Sequence, residues 1–325
     1  MVTFDIISDS NEWNNQIIRN ENFSPYQLFE WGNCKREIGW GVLRLKINDN
    51  GSIGYTQITY KKKFFVFAGL VTGSISGDVS AFNKNNLIKL LKDNFNIRFV
   101  YLKTSFTNIL EFNESFNMYR GGWIKAKKKI NSDYTIYIDL DKNIDELLKN
   151  CSSNWRKNLI RGQKYNSDYN LKYLIDYNDH DIDKIDMLFK RFKKIKNITP
   201  PKLNDLKIFK KHLGNNIIVA VSSKYEKFIG LRAFIFLNNK AIDLWAATDE
   251  EGRKNYTSYF LLFKLFSKAK EMGIKSYDMS GIDPINNENV FLFKNGLRSN
   301  VVEKLGEWEL SNSNILSFLI NKSYI

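Results

Sequence analysis

The sequence passes twice through the same order of predicted elements, and this repetition constrains the fold more than any other feature. In each half, two helices directly precede three consecutive strands, which a helix and a further strand follow; in the second half, a strand and a long helix come before this series. In the first half, residue periodicity predicts helices at 11–20, 25–39 and 80–95 and strands at 40–47, 52–60, 64–70 and 97–105. In the second half it predicts helices at 152–166, 181–196, 205–214 and 256–273 and strands at 134–140, 216–223, 228–237, 240–249 and 276–282. We therefore expect an α/β fold with mixed sheets, built from two units of one kind with a boundary near residues 145–150.

The composition agrees with two folded domains and disfavours several classes of structural and catalytic site. A chain of 325 residues with 43% hydrophobic residues is long enough and apolar enough to form two cores. Its apolar runs are shorter than the ~18 to 20 residues that a membrane span requires. The N-terminus lacks the pattern of a secretory signal, so we expect a cytoplasmic protein. Two cysteines and two histidines leave little for a disulfide framework, a metal site or a histidine-based triad.

Net charge is the strongest compositional signal. Lysine and arginine number 49 against 35 aspartates and glutamates, which gives a formal charge of +14. Basic clusters occur at residues 61–63, at 125 and 127–129, and in "KRFKKIK" at 190–196. Each cluster alone is typical of a solvent-exposed face. The total excess of positive charge nevertheless favours an anionic partner such as nucleic acid, a nucleotide or an anionic surface.

Arg232 is a charged residue inside the apolar strand "FIGLRAFIFL". A lone buried guanidinium is unfavourable, so Arg232 requires a partner. If residues 238 and 239 form a two-residue hairpin turn, Arg232 lies opposite Trp245 and diagonal to Asp243. It then either pairs with one of these residues or extends into a cleft to bind a phosphate or carboxylate.

Three further polar residues occupy positions where an apolar residue is expected or where the chain turns. Lys35 follows Trp31 by four residues on the apolar side of its helix, so it either extends past that side to solvent or enters a groove. The hydroxyl of Tyr277, in "SYDMSGI", requires a partner that a water or a ligand could supply. Lys294 precedes Gly296, which is typical either of a solvent-facing lysine at a capped helix end or of a cation in a site.

Four segments that occur in a fixed order resemble one known family. They are "SPYQLFEWGNCKREIGWG", "SSNWRKNLIRGQKYN", "WAATDEEGRKNYTSYFLLFKLFSKAKEMGIKSYDMSGI", and "FKNG" followed by "VEKLGEWEL". In this order and spacing the sequence resembles the FemABX family of non-ribosomal peptidyltransferases, and the resemblance covers nearly the whole chain.

The resemblance implies two tandem GNAT-like acyltransferase domains. Residues 1–147 and 311–325 would form the acceptor-binding domain, and residues 148–310 the donor-binding and catalytic domain. The implied reaction transfers an amino acid from aminoacyl-tRNA to an amine of a peptidoglycan precursor in bacterial cell-wall biogenesis, with no cofactor. The implied partners are aminoacyl-tRNA and a UDP- or lipid-linked muropeptide or a related anionic envelope precursor, and a peripheral contact with the inner membrane surface is compatible with them.

The resemblance also implies roles for five residues of this sequence. Lys294 and Phe293 match the catalytic pair at the aminoacyl ester. Lys35 and Arg232 match positions that hold the diphosphate of the muropeptide, and Tyr277 matches a further substrate contact. A fixed ammonium at Lys294 would stabilise the tetrahedral oxyanion of ester aminolysis, so no histidine or cysteine nucleophile is needed. An aromatic ring at Phe293 would shape the pocket or stack on the terminal adenine.

Departures from the family pattern leave alternatives open. Gly230 and Phe236 flank Arg232 where hydroxyl-bearing residues are expected, so the acceptor need not be a standard muropeptide. The segment "EEGRKNYTSY" contains only Gly252 where an acetyl-CoA enzyme would place several glycines, which weakens acyl-CoA as the donor. An N-acyltransferase that uses acyl-CoA or an acyl carrier on an amino sugar remains the alternative enzyme, and a non-enzymatic basic RNA- or surface-binding protein is the third hypothesis. Asp249 and Asp278 are candidate proton acceptors by position only.

Overall fold

The computed structural model describes residues 2–19, 23–73, 75–166, 168–196 and 199–323. The helices are α1 Ser10–Ile18, α2 Phe29–Glu37, α3 Lys84–Phe95, α4 Phe112–Arg120, α5 Ile144–Asn150, α6 Ser153–Tyr165, α7 Asp179–Ile195, α8 Leu203–Leu213, α9 Glu250–Lys254, α10 Thr257–Glu271, α11 Glu288–Asn295 and α12 Asn314–Ser323. The strands are β1 Val2–Ile6, β2 Gly41–Asp49, β3 Ser52–Lys63, β4 Val66–Thr72, β5 Ser76–Gly77, β6 Phe99–Ile109, β7 Ile124–Lys125, β8 Tyr134–Asp139, β9 Tyr169–Tyr173, β10 Ile217–Lys224, β11 Lys227–Leu237, β12 Lys240–Thr248, β13 Ser276–Asp278 and β14 Val301–Ser311.

Internal contacts divide the chain into two compact units. The first comprises Met1–Tyr134 and Val302–Ile325, and the second comprises Thr135–Val301. The first boundary falls before the residues 145–150 that the sequence pattern indicated, and the second falls before residue 310, which the resemblance implied. Ile136 and Ile138 of β8 are buried in the second unit's core, and Ile144 and Leu147 of α5 pack against it. Most of β14 belongs to the first unit because it pairs with β6.

In the first unit, β2, β3 and β4 form an antiparallel meander, and β1 pairs with the outer edge of β2. After β4 the chain passes through α3 and returns in β6, which is parallel to β4. Strand β14 pairs antiparallel with β6. The core includes Phe67, Leu87 and Trp308, which are almost completely buried.

The second unit repeats this topology. Strands β10, β11 and β12 form an antiparallel meander, β9 pairs with the outer edge of β10, and α10 connects β12 to the parallel strand β13. Strand β8 pairs antiparallel with β13. Its core includes Phe234, Leu261 and Tyr277. The mixed α/β architecture with two units of one kind, expected from the sequence, is confirmed.

Local sequence explains where the main helices begin. Ser152 accepts a hydrogen bond from the N–H of Trp155 and caps α6. Asn178 and Asp181 form a reciprocal capping box at the start of α7. The helix expected at 25–39 is divided in two, because Leu28 has an extended ψ of 144° between a 3-10 turn at Pro25–Gln27 and α2.

Candidate active site

An open pocket of about 360 Å³ lies in the second unit, and three of the five residues to which the resemblance assigns roles line it, namely Arg232, Phe293 and Lys294. Its walls carry four cationic side chains, one carboxylate and two phenylalanines, which belong to Lys196, Arg232, Arg253, Lys294, Asp243, Phe192 and Phe293. Ser258 and Asn289 add neutral polar groups. A pocket of this composition suits an anionic ligand that has an apolar or aromatic portion.

Lys294 lies in the last turn of α11 and is only 6% exposed. Its Nζ donates hydrogen bonds to the backbone carbonyls of Gly281 at 2.8 Å and Ser280 at 3.4 Å. The alternative of a solvent-facing lysine is therefore wrong, because the side chain lies inside the unit and the amine is held by the loop after β13. A charged group held in this way has a defined position in the pocket wall before any ligand binds.

The loop that holds Lys294 is itself fixed by Asp278. One carboxylate oxygen of Asp278 accepts from the N–H of Ser280 at 2.7 Å and from the hydroxyl of Thr135. Ser280 has a φ of 62°, a conformation that the Asp278 contact supports. Asp278, a proton-acceptor candidate by position, has a structural role in this arrangement.

Gly296 follows α11 and is needed for close packing. Its φ is −63°, so it does not adopt the left-handed conformation that is common for a glycine at a helix end. A Cβ at this position would lie 2.9 Å from Cδ1 of the buried Trp155. Trp155 packs at a ring-centroid distance of 5.4 Å from Tyr259, which makes a 4.8 Å edge contact with Phe293. Phe293 is therefore a partly buried wall of the pocket whose position depends on these aromatic neighbours.

Arg232 and Tyr277 meet at the carboxylate of Asp243. Nη2 of Arg232 donates to Oδ2 of Asp243 at 2.7 Å, and the hydroxyl of Tyr277 donates to Oδ1 at 3.1 Å. Nη1 of Arg232 donates to Ser258 at 3.0 Å, and the guanidinium lies 5.2 Å from the centre of the Phe293 ring. Burial raises the pKa of Tyr277 well above its usual value, as does the neighbouring Asp243, so this hydroxyl remains a donor.

Asp243 was one of the two residues expected to pair with Arg232, and this ion pair is confirmed. The expected pairing with Trp245 is wrong, since Arg232 pairs with Ala246 in the strand register. The two-residue turn at 238–239 is present, but a bulge after Ala233 shifts the register by one residue. Trp245 instead packs against Phe189 and Phe209.

Lys35 belongs to the first unit. It is partly exposed in the last turn of α2, and its Nζ lies 4.8 Å from the centre of the Trp31 ring. This contact agrees with the expected passage of the side chain along the apolar face of its helix.

Several polar residues of the pocket were not identified as site residues from the sequence. Arg253, Ser258 and Asn289 have no pattern that separates them from other polar residues, and Lys196 was noted only as part of the basic cluster at 190–196. Asp249, the other proton-acceptor candidate, caps α9 through the N–H of Gly252 at 3.0 Å and pairs with Lys227 at 3.1 Å. Its carboxylate is therefore also structural.

Comparison with known proteins gives a family match over the part of the chain that forms this pocket. The model of the FemAB family matches residues 190–322, a range that contains every residue lining the pocket. No curated protein matches the chain.

Several solved structures share the fold over nearly the whole chain. The crystal structure of FemX superposes with a TM-score of 0.77 at 16% identity, covering 98% of this chain and 100% of that chain. The structure of L-PGS from Bacillus licheniformis has a TM-score of 0.62 at 12% identity, covering 97% and 96%. A tandem GNAT protein from the clavulanic acid biosynthesis pathway has a TM-score of 0.60 at 10% identity, covering 96% and 99%.

These matches support a Fem-like transferase built on a tandem GNAT fold. The resemblance of this chain to the FemABX family is therefore confirmed, by the family model over residues 190–322 and by the fold that the chain shares with FemX.

Proposed function

We propose that the pocket of the second unit transfers an aminoacyl group from aminoacyl-tRNA to an amine of an anionic cell-envelope precursor, such as a UDP- or lipid-linked muropeptide. The observation that carries this proposal is the amine of Lys294, held by two carbonyls in the wall of a predominantly cationic pocket. The FemAB match over the pocket residues supports the same chemistry.

The reaction joins the acceptor nitrogen to the ester carbonyl carbon and breaks the bond between that carbon and the ribose oxygen. The nitrogen loses a proton, and the ribose oxygen leaves as a hydroxyl. After the new bond forms and before the old bond breaks, the former carbonyl oxygen of the ester carries a negative charge that neither substrate has. A positioned ammonium at Lys294 stabilises this charge in the transition state more than in the ground state. Since the ester is already activated, positioning and one cation are sufficient.

The other candidates have supporting roles in this proposal. Phe293 forms an apolar wall for the aminoacyl group or the terminal adenine, because its ring lies beside Arg232 in the pocket. Two nitrogens of Arg232 bind Asp243 and Ser258, while its Nε has no acceptor within the described part of the chain. An oxygen of an anionic substrate would supply that acceptor. In this proposal Lys35 binds the phosphates of the acceptor, and the first unit is the acceptor-binding unit.

An acyl-CoA donor is the second candidate, because the fold is shared with a tandem GNAT protein. The turn between β12 and α10 disfavours it. The N–H of Gly252, the one glycine in the sequence from Asp249 to Tyr256, already donates to Asp249 at 3.0 Å and does not face a pyrophosphate as a free donor. A Cβ at Gly252 would lie 2.2 Å from the carbonyl oxygen of Ile229, so this glycine is required for strand packing.

The donor is tested by offering labelled aminoacyl-tRNA and labelled acetyl-CoA separately, with UDP-linked muropeptide and with an extract of envelope precursors as acceptors. The proposal predicts label transfer from aminoacyl-tRNA that ribonuclease treatment of the donor abolishes. Transfer from acetyl-CoA that is insensitive to ribonuclease would contradict the tRNA donor and support the second candidate.

A further inference from the structure

The hairpin between β3 and β4 has an unusual turn. Lys63 pairs with Val66, so the turn consists of Phe64 and Phe65, which are 80% and 63% exposed. Phe64 has a φ of 50°, in the left-handed region that bulky residues rarely adopt. Two aromatic rings are therefore presented to solvent on a strained backbone.

The neighbouring hairpin of the same unit has residues that are typical of a two-residue turn. Between β2 and β3, the residues with positive φ are Asn50 and Gly51, a pair that suits a two-residue turn. Local strain combined with exposed apolar surface is expected where a function requires it. The Phe64–Phe65 turn consequently indicates a contact with another molecule.

Basic residues surround this turn. Lys61, Lys62 and Lys63 precede it and are exposed. Arg98 is also exposed and adjoins the turn, because the N–H groups of Arg98 and Phe99 both donate to the carbonyl of Phe65 at 2.9 Å. The rings are thus flanked by cations on both sides.

Helix α12 adds a second apolar element at the same edge of the first unit. Ile315, Phe318 and Leu319 are exposed and share one helical face, which continues to the exposed Lys322. The turn before α12 is tied to the hairpin through Arg98, whose carbonyl accepts from Nδ2 of Asn312 at 2.9 Å. The hairpin tip and α12 therefore both lie at the end of the sheet where β4 and β6 begin and β14 ends.

We name this surface the aromatic-basic edge, comprising residues 61–65, Arg98, Ile315, Phe318, Leu319 and Lys322. Neither residues 61–65 nor residues 312–322 contain an acidic residue. Exposed aromatic and aliphatic side chains among lysines match the boundary of an anionic bilayer, where rings enter the headgroup region and cations bind lipid phosphates. A protein partner would require no such uniform charge, and an RNA partner would require no aliphatic helix face.

We propose that the aromatic-basic edge binds the surface of an anionic phospholipid bilayer. This inference does not depend on the donor or the acceptor of the proposed reaction, because binding to lipid can be measured without either substrate. It assigns a function to side chains that the pocket of the second unit does not use.

The test is co-sedimentation of the full chain with vesicles of equal parts phosphatidylglycerol and phosphatidylcholine, and with vesicles of phosphatidylcholine alone. The principal variant is Phe64→Asn combined with Phe65→Ser, since asparagine tolerates a positive φ and the fold should melt at or above the wild-type temperature. We expect this variant to bind anionic vesicles at least about tenfold more weakly. We expect a comparable loss for Lys62→Glu combined with Lys63→Glu, and weak binding of the wild type to neutral vesicles.

The control is Phe112→Ser combined with Phe116→Ser, which removes an exposed stacked aromatic pair from α4, the helix that follows the opposite end of β6. This control should bind vesicles like the wild type. Equal loss in the control and in the hairpin variant would indicate nonspecific adsorption and overturn the proposal. Absence of wild-type binding to anionic vesicles would also overturn it, as would a hairpin variant that loses tRNA binding but keeps vesicle binding.

Discussion

At the scale of single residues, the candidate site depends on one buried carboxylate. Asp243 accepts hydrogen bonds from both Arg232 and Tyr277, and the guanidinium of Arg232 is almost fully buried. Removal of the carboxylate partner of a buried cation strongly destabilises the fold, because it leaves a buried charge without a counter-charge. The ion pair therefore links the stability of the second unit to the shape of its pocket.

We expect Asp243→Asn to lower the free energy of unfolding by roughly 3 to 5 kcal/mol, because it leaves the Arg232 guanidinium without its counter-charge. Tyr277→Phe removes only one hydrogen bond to the same carboxylate and should lower it by about 1 kcal/mol. Chemical denaturation of the two variants measures the difference. The double variant Arg232→Met with Asp243→Asn should recover part of the lost stability, since neither member of the pair is then charged. Equal, small effects of both single variants would show that the pair is unimportant.

The sequence was sufficient to find Asp243 as a partner of Arg232 but not to place Lys294. The first inference used only strand pairing across a short turn, which is a local rule. The position of the Lys294 amine depends on the carbonyls of Ser280 and Gly281. Those carbonyls point at the amine because Asp278 and Thr135 fix the loop, a tertiary arrangement with no local signature.

At the scale of elements, the central strands and long helices were predictable, and the edge elements were not. Apolar runs such as β10 and β11 have a clear pattern because both faces are buried. Strands β1 and β9 are short and half-exposed, so their patterns are weak. The bulge between β11 and β12 was not predicted either, because its extra residue, Leu244 of β12, has no glycine or other local signal beside it.

Helix α11 gives a prediction at this scale. Gly296→Ala would place a methyl group against Trp155, whose aromatic neighbours support Phe293. We expect the free energy of unfolding to fall by about 1 to 3 kcal/mol from overpacking, together with reduced transfer activity. Thermal unfolding and the transfer assay measure the two effects.

The matched control is Gly273→Ala, where φ is 77° and no heavy atom lies within 4 Å of the added Cβ. It tests backbone strain without a clash, so it should lower stability while leaving transfer at the wild-type rate. If Gly296→Ala melts and transfers like the wild type, then α11 does not depend on close packing at Trp155.

At the scale of the whole molecule, two units repeat one topology while only the second contains the described pocket with Lys294. The repeated element order was readable in the sequence because each unit has the same succession of helical and strand periodicities. No helix in the described ranges is long and apolar enough to cross a membrane. The net charge of +14 fits a protein whose proposed partners are all polyanions: tRNA, a phosphorylated precursor and an anionic bilayer.

The central claim is that the amine of Lys294 acts in acyl transfer, and the most direct measurement is the single-turnover rate of label transfer from aminoacyl-tRNA by Lys294→Met. The control is Lys275→Met, which removes an exposed lysine of the same unit. We predict that Lys294→Met melts cooperatively and transfers on the order of 100- to 1000-fold more slowly, while Lys275→Met retains the wild-type rate. A folded Lys294→Met variant that transfers within a few fold of the wild type would contradict the account.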